Sequence, residues 1–160
     1  MRAILVAAIL AASGIGPAAA AEWGSYGNAR FGYEIAVPPG FACGPESDNG
    51  DGRICRSANG AQKLTIWGGY LVVSDFDGDV ADWLKALTDG GWTITYQATT
   101  PGWASFSGTK GQRVIYVREI SACKGGQVAA FQLDYSSIDI GRMKPVVERL
   151  VPSLRQVTCE

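Results

Sequence analysis

The chain has 160 residues, with 14 Lys and Arg against 15 Asp and Glu and no histidine. That near balance argues against a nucleic-acid or membrane-surface role, since both need a concentrated basic field. The lack of histidine removes the usual general base of serine and cysteine hydrolases.

The chain opens MRAILVAAILAASGIGPAAAAEW. Arg2 is a short positive region, Ala3 to Ile15 an apolar run broken by Gly14, and Ala18 to Ala21 a small-residue tail. This is the pattern of a secretory signal peptide, residues 1–21, with Ala-x-Ala cleavage before Glu22. The apolar run is shorter than the roughly 20 residues that span a bilayer, so no membrane span is expected after cleavage. No cysteine stands at the cleavage point to carry a lipid. Residues 22–160 have the size of one domain and can bury a core of their own. The expected location is the periplasm or the exterior.

The stretch 22–30, rich in small residues, reads as irregular. FGYEIAV (Phe31 to Val37) alternates Phe31, Tyr33, Ile35 and Val37 against Gly32, Glu34 and Ala36, the period of a half-buried strand. Pro38-Pro39 stops it. GRICRS and AQKLTIWG flank Asn59-Gly60, whose tolerance of positive φ signals a hairpin. Val80, Trp83, Leu84 and Leu87 then fall on one helical face, predicting a helix over 79–89 with Asp77 or Asp79 as its cap and Gly90-Gly91 as its stop. WTITYQAT, GWASFSG, RVIYVREI and VAAFQLDY follow as strands with short glycine-containing connections, which implies antiparallel neighbours. The tail carries an apolar stripe at Met143, Val146, Val147, Leu150 and Leu154. Pro145 fits a first-turn position, placing the start of this second helix near Lys144. Strands in blocks with segregated helices give an α+β class, an antiparallel sheet packed with two helices.

Cys43, Cys55, Cys123 and Cys159 all lie in the exported part, and an even count there reads as two disulfides. Three pairings are possible. The favoured one is Cys43–Cys55, closing a short loop, with Cys123–Cys159 tying the tail to the body. A metal site would need Cys-x-x-Cys spacing or histidine partners.

The acidic stretch CGPESDNGDGRIC also fails as a calcium loop. Counting from Asp48, the sixth position is Arg53 and the twelfth Asn59, where glycine and glutamate are required. It lacks the lysine of a phosphate loop. It reads as a polar excursion between two strands, its tip at most a contact point. Asp75, Asp77 and Asp79 mimic the start of a calcium loop, but Val80 and Ala86 occupy its sixth and twelfth positions, leaving helix capping as their role. Glu119 and Asp134 are the paired-carboxylate candidates for hydrolysis. Nearby Arg113, Arg118 and Lys124 account for both as cross-strand charge pairs. No catalytic, metal or cofactor-binding set emerges. Among the tryptophans, Trp83 and Trp92 read as core. Trp103 alternates opposite Ala104 and Phe106 and is the candidate contact surface.

Four stretches, NARFGYEIAVPPGF, SDNGDGRICRSANGAQKLTIWG, ATTPGWASFSGTKGQRVIYVREI and KPVVERLVPSLR, together resemble exported proteobacterial proteins related to the Mog1/PsbP-like α/β/α sandwich. The resemblance spans nearly all of residues 22–160. It implies that fold and transfers no functional residues, because its motifs are turn and core signatures. Lys144-Pro145 stands where such sequences often have Asp-Pro. The expected function is a non-enzymatic binding or accessory domain of the cell envelope, taking a protein or small ligand. A carboxylate-dependent hydrolase and a disulfide-stabilised inhibitor or interaction module are the alternatives.

Overall fold

The computed structural model describes residues 22–72 and 74–159; the signal peptide expected over 1–21 lies outside them. The strands are β1 (Gly24–Asn28), β2 (Tyr33–Val37), β3 (Phe41–Glu46), β4 (Gly52–Ser57), β5 (Lys63–Tyr70), β6 (Thr93–Thr100), β7 (Trp103–Lys110), β8 (Arg113–Ala122), β9 (Gln127–Ser136) and β10 (Arg155–Gln156). The helices are α1 (Phe76–Asp89), between β5 and β6, and α2 (Ile140–Ser153), between β9 and β10. A seven-stranded antiparallel sheet runs β3-β4-β5-β9-β8-β7-β6, and a small sheet runs β1-β2-β10.

Alternation along the strands divides the core into two layers. Phe106, Ile115, Val117 and Val128 face α1, where they meet Phe76, Val80, Trp83 and Leu84. Phe131, Leu133, Ala129 and Val114 face the other way, against Tyr33 and Ile35 of the small sheet and Met143 and Leu150 of α2. Helices thus cover both sides of the large sheet. Trp83 bridges layers of aromatic rings on the α1 side, with Trp67 at 4.8 Å and Phe106 at 5.1 Å between centroids.

Three boundaries differ from the sequence-based expectation. The segment 22–30 contains β1, paired in register with β2 from Gly24↔Val37 to Asn28↔Tyr33. Its glycines hide a strand held by backbone pairing at a sheet edge. The helix α1 starts three residues before Asp79 because buried Phe76 extends the apolar face, and its cap is Asp75, whose Oδ1 accepts from the Gly78 N–H at 2.9 Å. Neither Asp77 nor Asp79 caps it. The helix α2 starts at Ile140 and carries Pro145 and Pro152 within it. Pro145 removes only the bond to the Gly141 carbonyl, in an exposed turn where water can replace it.

The expected polar excursion between Cys43 and Cys55 is mostly hairpin. Cys43 and Cys55 are directly opposed on β3 and β4 and disulfide-bonded, with Cα atoms 3.8 Å apart. Only residues 47–51 form the connecting loop, closed by Ser47 N–H on the Gly52 carbonyl at 2.9 Å and Gly50 N–H on the Ser47 carbonyl at 2.8 Å. Gly52 is required where the loop re-enters the sheet: a Cβ there would stand 1.9 Å from the Ile66 carbonyl oxygen. The second disulfide, Cys123–Cys159, fastens the chain after β10 to the turn between β8 and β9.

Candidate functional site

A cleft follows from how α2 approaches the main sheet. The helix buries Met143 and Leu150 and turns Arg142, Val146 and Arg149 toward the turn linking β2 to β3. That turn is built by Pro38, Pro39 and Gly40, whose φ of +77° suits glycine. The hairpin turn between β4 and β5 closes the far end with Asn59 and Gln62. The open cleft has a volume of about 740 Å³ and is walled by Trp23, Phe41, Met143 and Val146. This lies within the range of roughly 300–1,000 Å³ common for small-molecule sites.

Polar groups at this cleft are organised around Asp139. Its Oδ2 accepts from buried Gln62 Nε2 at 2.8 Å and its Oδ1 from Arg142 Nη2 at 2.8 Å. The Asp139 carboxylate is therefore occupied, and no side-chain cap bond forms at the start of α2. Arg149 instead lies over the Trp23 ring, 4.6 Å from its centroid. A guanidinium stacked on an indole keeps its in-plane donors free for a ligand.

A second cavity of about 520 Å³ lies on the part of the main sheet beyond the reach of α1, over Ala42, Gly44, Ile54, Thr65 and Trp67. Its rim is the 47–51 loop. That loop is fastened to the body: Asn28 Nδ2 donates to the Gly50 carbonyl at 2.9 Å, Tyr33 Oη to the Asp51 carbonyl at 3.0 Å, and Arg30 pairs with Asp51 at 3.0 Å.

Trp103 sits on the sheet face opposite Phe106, half-buried. The Arg118 guanidinium covers its ring at 4.1 Å and donates from Nη1 to Ser105 Oγ at 3.0 Å. Burial pushes the Arg118 pKa below its ordinary value. Tyr96, 48% exposed, stands on the adjoining edge strand opposite Ser107.

The two carboxylate candidates have different fates. Asp134 accepts from Arg113 Nε at 2.8 Å across the strands, as a charge pair. Glu119 has no basic partner, which corrects the expected pairing, because Arg118 points to the opposite face of β8. It lies under α1, 1% exposed, and its Oε2 has no hydrogen-bond partner. Burial, with Asp79 adding to it, pushes its pKa from 4.5 up to about 8. Glu119 opposes Ala130 and Asp134 opposes Ile115, four positions away, or about 13 Å at roughly 3.3 Å per residue. Carboxylates of a glycoside hydrolase stand about 5–9.5 Å apart. No group of three or more His, Cys, Asp or Glu side chains among the described residues is arranged to hold a metal ion.

Sequence reasoning missed the α2 cleft entirely, because its walls come from four separate segments. The one available signal was the pair Arg142 and Arg149, two turns apart on the helix that also carries the apolar stripe.

Comparison with known proteins places the architecture. The solution structure of cyanobacterial PsbP (CyanoP) from Synechocystis sp. PCC 6803 superposes with a TM-score of 0.65 at 12% identity, over 91% of this chain and 98% of that one. The Saccharomyces cerevisiae Ran-binding protein Mog1p superposes with a TM-score of 0.64 at 9% identity, over 86% and 97%. The fold is that of the Mog1/PsbP-like proteins. A Mog1 point variant matches similarly, with a TM-score of 0.62 over 85% and 96% of the two chains. No protein-family profile matches the sequence. No curated protein matches it either. No helix among the described residues is long and apolar enough to cross a membrane.

Proposed function

We propose that the protein is a non-enzymatic binding or accessory domain of the cell envelope, periplasmic or secreted. In this reading residues 1–21 are a cleaved signal peptide and 22–160 the single working domain. The observation that carries the reading is the cleft along α2, an apolar trough of about 740 Å³ with a guanidinium held at its wall by Trp23. Two further facts support it. The structurally similar Mog1p is a Ran-binding protein, and two disulfides suit an oxidising compartment. Trp103, with Arg118 over it and Tyr96 beside it, is a second and flatter contact surface in this reading.

The hydrolase alternative loses its basis where Asp134 pairs with Arg113 and Glu119 is sealed beneath α1. Photo-crosslinking tests the proposal. A benzophenone amino acid placed at Phe41, and separately at Tyr96, in the oxidised 22–160 protein is irradiated in envelope extract. A discrete adduct at position 41 that Arg149→Glu abolishes is the expected result. A discrete adduct at Tyr96 alone moves the site to the Trp103 surface, and adducts at neither position contradict the binding role.

A further inference from the structure

The α2 cleft differs in charge from the chain around it. Acids slightly outnumber bases in the sequence, yet the cleft is lined by Arg142 and Arg149 and by no Asp or Glu. The two arginines are not equivalent. Arg142 is engaged by Asp139 at 2.8 Å. Arg149 has no carboxylate within ion-pair distance among the described residues, and its stacking on Trp23 at 4.6 Å fixes it beside the trough. A fixed guanidinium presents two parallel N–H donors, the geometry that matches one carboxylate.

The rest of the wall is hydrocarbon. Met143, Val146, Phe41 and Pro38 form it, and Met143 and Pro38 are buried. Arg142 and Arg149 are seven residues apart on one helix, so the trough extends about 10 Å along α2 at roughly 1.5 Å per residue. A ligand that fills this space needs an apolar body of comparable length and one negative end. A cationic head would face Arg149 unfavourably, and a neutral one would forgo the charge-assisted bonds that a carboxylate makes with it.

We infer that the cleft binds a single-chain alkyl carboxylate, its head on Arg149 and its hydrocarbon chain along Val146, Met143 and Phe41. The inference rests on the cleft being the binding site proposed above, and it adds the ligand class.

Isothermal titration of the oxidised 22–160 protein tests it with three probes used below their aggregation concentrations. Decanoate has both features, decyltrimethylammonium has the chain with the opposite charge, and acetate has the head alone. Decanoate binds one molecule per chain; decyltrimethylammonium binds at least about tenfold more weakly, the scale of losing one charge-assisted hydrogen-bonded pair, and acetate at least about tenfold more weakly for want of the buried chain. Arg149→Gln weakens decanoate by about tenfold with an unchanged melting temperature, and Val146→Trp blocks it by filling the trough. Arg142→Gln, whose partner is Asp139, has the smaller effect. Equal binding of decanoate and decyltrimethylammonium, or decanoate binding indifferent to Arg149→Gln, overturns the inference. So does absence of decanoate binding at millimolar concentration. In that last case a surviving photo-adduct at position 41 keeps the cleft as a binding site for another class of partner, and its loss removes both.

Discussion

Glu119 on β8 lies buried beneath α1, where the Asp79 carboxyl of that helix adds to burial in disfavouring its ionised form. A carboxyl buried without a basic partner and near a second carboxylate holds its proton more tightly than a free one. This proximity links the helix that covers one face of the main sheet to the centre of that sheet.

This placement makes stability depend on pH. Burial chiefly, and Asp79 secondarily, raise the pKa of Glu119 from 4.5 to about 8 in the folded protein. A folded-state value above the unfolded one means that the native protein holds the proton more tightly. The associated stability is complete below about pH 4.5 and is lost as pH rises through about 8. Urea midpoints measured at pH 5, 7 and 9 therefore fall with rising pH, and Glu119→Gln removes most of that slope. A wild-type midpoint that rises or stays level from pH 5 to 9 contradicts this placement.

Asn28 should be far more sensitive than its position in a short glycine-rich strand suggests. Its Oδ1 accepts from the Phe31 N–H at 2.9 Å, and its Nδ2 donates to the Gly50 carbonyl and to Tyr26 Oη, both at 2.9 Å. Asn28→Ala leaves buried groups unpaired on two separate turns. The expected loss is about 2–3 kcal/mol by chemical denaturation, against less than about 1 kcal/mol for a substitution at exposed Asn59.

The two disulfides should differ in accessibility and in stabilising effect. Cys55 is fully buried, whereas Cys159 is exposed on the terminal segment. Mild thiol treatment of the native protein should open Cys123–Cys159 first, as read by alkylation and peptide mapping. Their sequence separations are 36 and 12, so loop-closure entropy assigns roughly 4 kcal/mol to Cys123–Cys159 and roughly 3 kcal/mol to Cys43–Cys55. Paired Cys→Ser variants measure the difference, and a larger loss at Cys43–Cys55 would show that hairpin geometry outweighs chain entropy.

Local patterns made much of the fold legible. Tyr33, Ile35 and Val37 alternate inward as their spacing requires, Asn59-Gly60 turns the β4–β5 hairpin with Gly60 at φ +69°, and the Val80–Leu87 stripe faces the sheet. What stayed hidden depends on partners distant in sequence. Strand β1 is glycine-rich and is held by pairing to β2. The helix α2 runs through Pro145 because packing of Met143 and Leu150 outweighs one lost backbone bond. Glu119 looked like a charge-pair member beside Arg118, but adjacent strand residues face opposite ways. The cleft itself joins Trp23, the Pro38 turn, the Asn59 turn and α2, and no periodicity links those segments.

A ¹H–¹⁵N NMR titration of the isotope-labelled 22–160 protein with decanoate locates the carboxylate site, because it reports all three surfaces at once. Shift changes are expected to concentrate on the amides of Phe41, Asn59, Met143, Val146 and Arg149. Changes centred instead on Tyr96, Trp103 and Arg118, or on Ile54, Thr65 and Trp67, would contradict that expectation and place the binding surface elsewhere on the sheet.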